Sequence, residues 1–382
     1  MNSFFRRIIA VVHLAAGASL GLGANQAARA DIPIKSYEQL EIQGFRPGFR
    51  VSTEIRRPLR PEFNPGSLDW PVAFEGPEST MGNTMAQFQR YGGGSPYFHG
   101  GCDLRTRAGE KVLAPVSGRL EAGHYSYAQR PDGNLEKFMK PWPETGEALY
   151  FELSIVDDRG FRFEFHHVDR ASLPASIVRK LNESFNPRVE KGEWIGNVVE
   201  WPVAGAGGKP YHHLHYNIID PQGVRLNPEH YSFGLSDSNA PEIHGVYVRN
   251  SITRFFDRAD GVLAVDSEVV VAATDQRKPN LYTHTPPRVQ WQWNDAGDEE
   301  QKLGWNFLEA LLTQEGFTPD IRQVFASEIR TSEGQRLQTQ GDYSNNFFLF
   351  RMPKLPMRVG QSLELIVQDQ AGNSTRRSFQ VR

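Results

Sequence analysis

Cysteine, net charge and long hydrophobic runs are all scarce in this sequence. The 382 residues include one cysteine, Cys102, so no disulfide framework holds the chain together. Their formal net charge is −3, which is too small to predict a nucleic-acid-binding surface. After residue 30 there is no run of about eighteen apolar residues, so no membrane-spanning domain is predicted. What the chain has instead is 35 glycines and 25 prolines, which are typical of β-rich structure with many turns.

The first thirty residues have the pattern of a secretory signal. Arg6 and Arg7 precede an apolar and small-residue run, Ile8–Leu22, and Ala28-Arg29-Ala30 then supplies a small-x-small cleavage pattern. A membrane anchor is the alternative, but the run is short for a bilayer. Cleavage after Ala30 removes three arginines and no acids, so the net charge falls to −6. We therefore predict an exported protein, periplasmic or secreted, without a membrane anchor.

Prolines and strand-like runs divide the rest of the chain, whose length favours two domains or three small ones. Residues 31–66 contain five prolines and no sustained periodicity, which predicts an irregular N-terminal arm. Short β-like runs separated by turns fill residues 67–236, the predicted first domain. Within them, Gly123–Gly146 is interpreted as a long surface loop and residues 171–184 as a helix.

The pattern changes in residues 240–382, where strands alternate in polarity. Val289–Trp293 alternates strictly, and Leu363–Val367 does so with one exception. This spacing predicts an antiparallel β-sandwich, with one short helix near Leu303–Leu312. The chain as a whole is therefore predicted to be mainly β.

Histidines are concentrated in the predicted first domain, in three short patterns. Two glycines in the first pattern favour an extended backbone over a helix. The second pattern ends a strand-like run, and the third begins one. The patterns are His99-Gly100-Gly101-Cys102-Asp103, Phe165-His166-His167 and His213-Leu214-His215.

Strand geometry predicts which of these side chains share a face. Residues four apart in an extended chain lie on the same side, so His99 and Asp103 can reach one point. With Leu214 facing a core, His213 and His215 share the opposite face.

The same parity applies to the middle pattern. It places His167 on the side of Phe163 and Phe165, and it directs His166 to the other side.

Two imidazoles and one carboxylate are a common ligand set of catalytic zinc, which leaves a fourth position for water. The remaining two histidines, His167 and one of the His213/His215 pair, would then lie beside the reacting water. One of them could take its proton while the other stabilises a developing oxyanion.

These motifs resemble the lysostaphin-type, or LytM-like, zinc metallo-endopeptidases, which cut peptidoglycan cross-bridges. The resemblance covers about residues 68–220, which make up less than half of the chain. It extends to two connecting segments, Gly109–Gly118 and Val189–Gly196, which look like the family's turns after the aspartate and before the last histidine pair.

The resemblance implies an antiparallel β-sheet peptidase domain and assigns a role to each of five residues. His99, Asp103 and His215 are the implied ligands of one Zn²⁺ per chain, and His167 and His213 the implied catalytic residues.

Three features depart from the family pattern: Cys102, the run Phe165-His166-His167 in place of Tyr-x-His, and the long predicted loop 123–146. Cys102 stands where an aliphatic residue is common, and its parity with Gly100 predicts a buried structural thiol rather than a zinc ligand. The doubled histidines leave His166 as an alternative to His167, and His212 as an alternative ligand.

The C-terminal region resembles an immunoglobulin-like sandwich through its strand pattern and an Asp-x-x-Gly-Asn turn at Asp369. Its acidic group favours a solvated loop over a calcium site, because the oxygen-ligand spacing of a known calcium loop is missing. Its tryptophans favour core packing over a glycan surface. The acidic residues are Asp295, Asp298, Glu299 and Glu300, and the tryptophans are Trp291, Trp293 and Trp305.

The leading interpretation is an exported zinc endopeptidase that acts on peptidoglycan peptide stems, with the sandwich as a positioning module. One alternative is a zinc peptidase whose substrate is an exported protein. Another is a catalytically silent wall-binding or regulatory module. The sequence identifies no protein activator.

Overall fold

The computed structural model describes ten stretches of the chain, and these are mainly β, as predicted. The predicted signal 1–30, residues 31–63 of the arm and the acidic group near residues 295–300 lie outside the described residues. Within the described stretches, no helix combines the length and apolarity needed to span a membrane. The stretches are 64–73, 80–90, 96–129, 135–202, 210–250, 252–277, 282–293, 302–312, 319–339 and 347–382.

An antiparallel sheet of nine strands dominates the N-terminal half of the described chain. Its strands run in the order β1-β4-β13-β9-β8-β6-β11, with β14 beside β13 and β7 beside β6. A smaller sheet has the order β10-β12-β5, and β2 pairs with β3. The bounds are β1 Thr80–Met81, β2 Phe88–Gln89, β3 Tyr97–Phe98, β4 Cys102–Arg105, β5 Lys111–Leu113, β6 Gly118–Gln129, β7 Leu135–Pro141, β8 Phe151–Val156, β9 Arg162–His166, β10 Val168–Asp169, β11 Arg188–Val189, β12 Trp194–Val198, β13 His213–Ile219 and β14 Arg225–Leu226.

Helices are short in this half. The predicted helix at 171–184 is confirmed as a 3₁₀ turn, Arg170–Ser172, followed by α1, Ala175–Glu183. Another 3₁₀ turn covers Ala148–Tyr150, and α2 covers Pro228–Tyr231.

The predicted long loop Gly123–Gly146 is wrong, because most of it belongs to a hairpin. Strands β6 and β7 pair from Gly123 opposite Pro141 to Gln129 opposite Leu135. Pro141 is the last residue of β7, where a missing N–H costs no interior ladder bond. Pro141 therefore marks the end of a strand and not a loop.

Alternation gives the large sheet one apolar face and one polar face. Leu214, Tyr216 and Ile218 of β13 are completely buried in the core. Phe165 of β9 stacks on Tyr216 with ring centroids 5.6 Å apart. Cys102 pairs with Tyr216 in register and is also fully buried, as predicted for a structural thiol. The polar face carries the intervening side chains, including those of His213 and His215.

Two further sheets form the C-terminal half. One has the order β16-β15-β18-β23 and the other β17-β25-β24-β19-β20, and buried residues of both belong to one apolar core. All pairs are antiparallel except β17 with β25. A short hairpin, β21 with β22, and one helical turn, α3, complete the described elements. Their bounds are β15 Glu242–Arg249, β16 Asp257–Arg258, β17 Val262–Leu263, β18 Glu268–Thr274, β19 Arg288–Trp293, β20 Lys302–Asn306, α3 Ile321–Val324, β21 Glu328–Arg330, β22 Arg336–Gln338, β23 Phe348–Arg351, β24 Ser362–Gln368 and β25 Ser374–Val381.

The predicted helix Leu303–Leu312 is wrong. Its first residues form β20, which pairs with β19 so that Trp305 lies opposite Val289. Cross-strand packing of these side chains outweighs the helical spacing of the leucines. Trp291 and Trp305 are buried, as predicted for core residues, and Trp293 packs against the same core. The immunoglobulin-like kinship and the domain bounds 67–236 and 240–382 stay predictions.

Candidate metal centre

The three ligands predicted from the sequence lie together on the polar face of the large sheet. Asp103 of β4 pairs in register with His215 of β13, and His99 precedes β4. The Nε2 atom of His99 and the Nδ1 atom of His215 each lie 3.0 Å from Oδ1 of Asp103. One potential ligand atom from each residue lies within 4.8 Å of the other two.

Two glycines make this approach of the strands possible. A Cβ atom at Gly101 would lie 2.1 Å from the carbonyl oxygen of Tyr216 in β13. A Cβ atom at Gly100 would lie 1.0 Å from Nη1 of the buried Arg225. Both distances are far below van der Waals contact. A larger residue at Gly101 would therefore displace the segment that carries His99 and Asp103, whereas one at Gly100 would displace the guanidinium of Arg225.

Hydrogen bonds from outside the cluster orient its donor atoms. The Nδ1–H of His99 donates to the carbonyl oxygen of Thr84 at 3.0 Å, which directs the Nε2 lone pair toward Asp103. Oδ2 of Asp103 accepts from Nδ2 of Asn83 at 2.7 Å and from the hydroxyl of Tyr211 at 2.9 Å. The Oδ1 atom thus faces the two imidazoles.

The donor set fits a tetrahedral metal ion. Bonds of about 2.0–2.1 Å to nitrogen and carboxylate oxygen place tetrahedral ligands roughly 3.3 Å apart. The two measured separations of 3.0 Å are close to that value, and they are also ordinary hydrogen-bond lengths, so the ligand atoms can pair in this way without the ion. Two imidazoles and one carboxylate also leave a fourth position open.

His213 and His167 stand beside this cluster. Nε2 of His213 lies 3.8 Å from Oδ1 of Asp103, and its Nδ1–H donates to the carbonyl oxygen of Tyr211 at 2.8 Å. The Nδ1–H of His167 donates to the carbonyl oxygen of Leu149 at 2.8 Å. The two rings are 4.8 Å apart between centroids. In both residues the backbone bond at Nδ1 assigns the lone pair to Nε2.

The parity predicted for His167 is wrong. Strand β9 ends at His166, and His167 has a left-handed backbone with φ of +66°. Alternation stops at that residue, so its ring turns from the side of Phe165 toward His213 and Trp201. Residue spacing carries no signal for a single left-handed residue of this kind.

Burial and neighbouring charge set the protonation of these groups. The surrounding imidazoles overcome the effect of burial and hold the pKa of Asp103 well below its usual range. Burial, reinforced by His213, lowers the pKa of His167 well below 6.5. Burial also lowers the pKa of His213, although Asp103 offsets part of the effect. Near neutral pH the cluster therefore presents an ionised carboxylate and two neutral imidazoles at its edge.

His99 behaves in the opposite way. Burial lowers its pKa, but the charge and hydrogen bond of Asp103 outweigh that effect, so its pKa lies above 6.5. A metal ion competes with this proton for the Nε2 atom.

The alternatives for the histidine roles are engaged by other partners. His166 is buried between two carboxylates, with Nδ1 3.3 Å from Glu152 and Nε2 3.4 Å from Glu164. His212 accepts a hydrogen bond at Nδ1 from the backbone N–H of Trp201 and does not join the cluster.

Two features of the site escaped the sequence reasoning. Tyr211 precedes His213 by two residues, and that spacing on a strand face was the available signal for its contact with Asp103. Glu152, Glu164 and His166 form a second buried group behind His215, with His166 opposite both His215 and Glu152 in register. Only the cross-strand register brings these residues together.

Fold and site together define a mainly β protein with a buried His–Asp–His cluster flanked by two neutral histidines. No protein-family description and no curated protein matches the sequence.

Solved structures give distant similarities. One is a crystal structure from Pseudomonas aeruginosa named as a candidate M23 peptidase, 16% identical, covering 46% of this chain and 56% of that one, with a TM-score of 0.24. Another is from the SpoIIQ–SpoIIIAH pore-forming complex, 14% identical, covering 45% of this chain and 92% of that one, with a TM-score of 0.26. This chain thus spans just over half the length of the first structure. At such scores neither similarity carries an argument about activity.

Proposed function

We propose that this chain is an exported zinc metallo-endopeptidase that hydrolyses peptide cross-links of bacterial peptidoglycan. One observation carries the proposal: three donor atoms from His99, Asp103 and His215 meet at one point, with His167 and His213 at its edge. The resemblance of these motifs to the lysostaphin-type endopeptidases supplies the substrate class.

The ligand set supports zinc. His99, Asp103 and His215 would hold the ion, and when bound it would polarise a scissile carbonyl and acidify a water molecule. The hydrogen bonds to His99 Nδ1 and Asp103 Oδ2 fix both ligands before the ion arrives. Such outer contacts keep a metal site rigid.

The two flanking histidines supply proton transfer. Because their pKa values lie below 6.5, the Nε2 atoms of His167 and His213 carry lone pairs at neutral pH. One can accept the proton of an attacking water and pass it to the leaving amine, while the other, once protonated, stabilises the developing oxyanion. The backbone carbonyls of Leu149 and Tyr211 hold both rings in the required tautomer.

Burial separates the reacting groups from bulk water. All five side chains of the proposed site are buried, with His167 the most exposed at 9%. A low-dielectric setting strengthens every interaction with developing charge. A polypeptide substrate would therefore reach these side chains only after the residues that bury them move.

Muropeptide profiling tests the proposed activity. Purified sacculi are digested with the chain lacking residues 1–30, loaded with one equivalent of zinc, and the soluble products are separated. We expect new peptide termini within cross-links, with Asp103→Ala inactive and depleted of zinc. His230→Ala, a change outside the cluster, is the matched control and should retain both. Zinc retention without cleavage would contradict the proposed activity and favour a silent module, whereas cleavage of casein but not sacculi would favour a peptidase of exported proteins.

A further inference from the structure

Three carboxylates outside the metal centre converge where the segment after α2 meets the C-terminal sheets. Asp237 lies between α2 and β15, Asp275 directly follows β18, and Asp369 directly follows β24. One oxygen of each lies within 4.8 Å of the other two. Asp275 is 2% exposed, Asp369 0%, and the side chain of Asp237 1%.

The charge of this group is not balanced within the described part of the chain. Arg277 forms an ion pair with Glu229, and its Nε lies 3.3 Å from Oδ2 of Asp237. The positive charge of Arg277 is thus shared by Glu229 and Asp237. Asp275 and Asp369 add two more carboxylates to the group. Buried carboxylates without compensation are costly, so a further positive charge would stabilise this arrangement.

Hydrogen bonding differs among the three carboxylates. Asp369 accepts from the backbone N–H and the side-chain amide of Asn373, and Asp237 accepts from the backbone N–H of Asn239. The Oδ1 atom of Asp275 is fully buried and has no hydrogen-bond partner in the described residues, and the same holds for Oδ2 of Asp237, which faces Arg277.

A second, uncharged side chain is unpartnered on one side of Asp275, at a cavity that Asp237 and Asp369 do not line. The hydroxyl of Thr285 is buried without a hydrogen-bond partner in the described structure. It lines a small cavity together with Asp275, Arg277 and Glu229. The cavity volume is about 10 Å³, which corresponds to one water-sized guest.

We propose that Asp237, Asp275 and Asp369 bind a Ca²⁺ ion. An all-oxygen, carboxylate-rich set suits a hard divalent cation and differs from the nitrogen-rich metal centre. Ca–O bonds of about 2.3–2.6 Å bridge oxygens up to roughly 5 Å apart, which covers the observed span. Mg²⁺ demands an octahedron with shorter bonds of about 2.0–2.1 Å, which suits oxygens up to 4.8 Å apart less well.

The ion would tie three segments of the chain together. The side-chain amide of Asn373 already donates to the carbonyl oxygen of Asp237 at 3.2 Å, and the hydroxyl of Thr375 donates to that of Pro241 at 2.5 Å. A cation between Asp237 and the two strand ends adds a charged link to these bonds. The ion would therefore strengthen the attachment of the segment around Asp237 to the ends of β18 and β24. This role does not depend on the proposed hydrolysis.

Calcium titration of the chain tests the proposal. The protein is depleted of metal, reloaded with one equivalent of zinc, and titrated with CaCl₂ at pH 8 by calorimetry, with the thermal midpoint measured at 0 and 1 mM Ca²⁺. We expect one Ca²⁺ per chain and a rise in the midpoint. Asp275→Asn keeps the shape and removes the charge. Because changes outside a ligand shell already cost about 10–100-fold in affinity, loss of a ligand should cost about 100-fold or more.

Two further variants complete the test. Asp237→Asn should lose the same affinity, whereas Asp260→Asn, whose side chain is 87% exposed, should bind Ca²⁺ like the wild type. Absence of calcium binding by the wild type would overturn the proposal. It would also be overturned if Asp275→Asn and Asp237→Asn bound Ca²⁺ with unchanged affinity, because the ion would then lie elsewhere.

Discussion

Asp275 should make the stability of the chain depend on pH when no cation is bound. Burial, with Asp369 and Asp237 nearby, raises its pKa from 3.8 to about 7 in the folded chain. Between these values the folded chain holds a proton that the unfolded chain has released. The free energy of unfolding therefore falls as pH rises from about 4 to about 7 and is flat above that range.

The size of the effect follows from the two pKa values. Each pKa unit is worth about 1.4 kcal/mol, so the full loss is about 4 kcal/mol. Part of it has already occurred at pH 5, which leaves roughly 2.5 kcal/mol to be lost between pH 5 and pH 8. Asp275→Asn has no ionisable group at this position, so it should not show that loss.

Urea unfolding of both chains in calcium-free buffer measures the difference. Titrating groups that do not contact this cluster affect both chains equally and cancel to first order. We expect the wild type to lose roughly 2.5 kcal/mol relative to Asp275→Asn from pH 5 to pH 8. Saturating Ca²⁺ should reverse this trend, because the ion binds the ionised carboxylate. A difference that stays constant with pH would refute the reasoning, since Asp275 would then ionise as freely as in the unfolded chain.

Three further predictions concern the proposed active site. His213→Ala should keep its zinc and lose about 10²–10⁴-fold in turnover, whereas His215→Ala should lose the zinc itself; metal analysis showing the reverse would exchange their roles. Gly101→Ala should lower the free energy of unfolding by about 1–3 kcal/mol and weaken zinc binding, because its Cβ would meet the Tyr216 carbonyl. Gly234→Ala, where a Cβ has no neighbour within 4 Å, is the control. Equal effects of the two changes would contradict the packing argument. Deleting residues 31–60 should raise the rate of sacculus hydrolysis if the arm covers the buried site, and an unchanged rate would make it a spacer.

The cluster was predictable to the extent that it depends on the strand period. The alternation in His213-Leu214-His215 follows from the pleat, and Leu214 is buried as that period requires. The approach of His215 to Asp103 is different, because it depends on the register between β13 and β4. The sequence supplied that pairing only through a family resemblance.

Other parts of the structure are set by contacts that no local pattern contains. The segment from Leu303 to Leu312 has the apolar pattern of a short helix, yet pairing of β20 with β19 makes its first residues a strand. Glu152 and His166 are fourteen residues apart in the chain and become neighbours because β8 and β9 form a hairpin in one particular register. The convergence of Asp237, Asp275 and Asp369 likewise arises from three separate loops.

The left-handed backbone of His167 places stability and chemistry in competition at one residue. A histidine with φ of +66° costs about 1 kcal/mol or more that a glycine at the same position would not. Selection for a more stable chain would therefore favour glycine at residue 167, and only a demand for the imidazole itself keeps histidine there. Under the proposed function, a lineage released from catalysis would be expected to change this residue early, while His99 and Asp103 could persist for as long as the metal stabilises the fold.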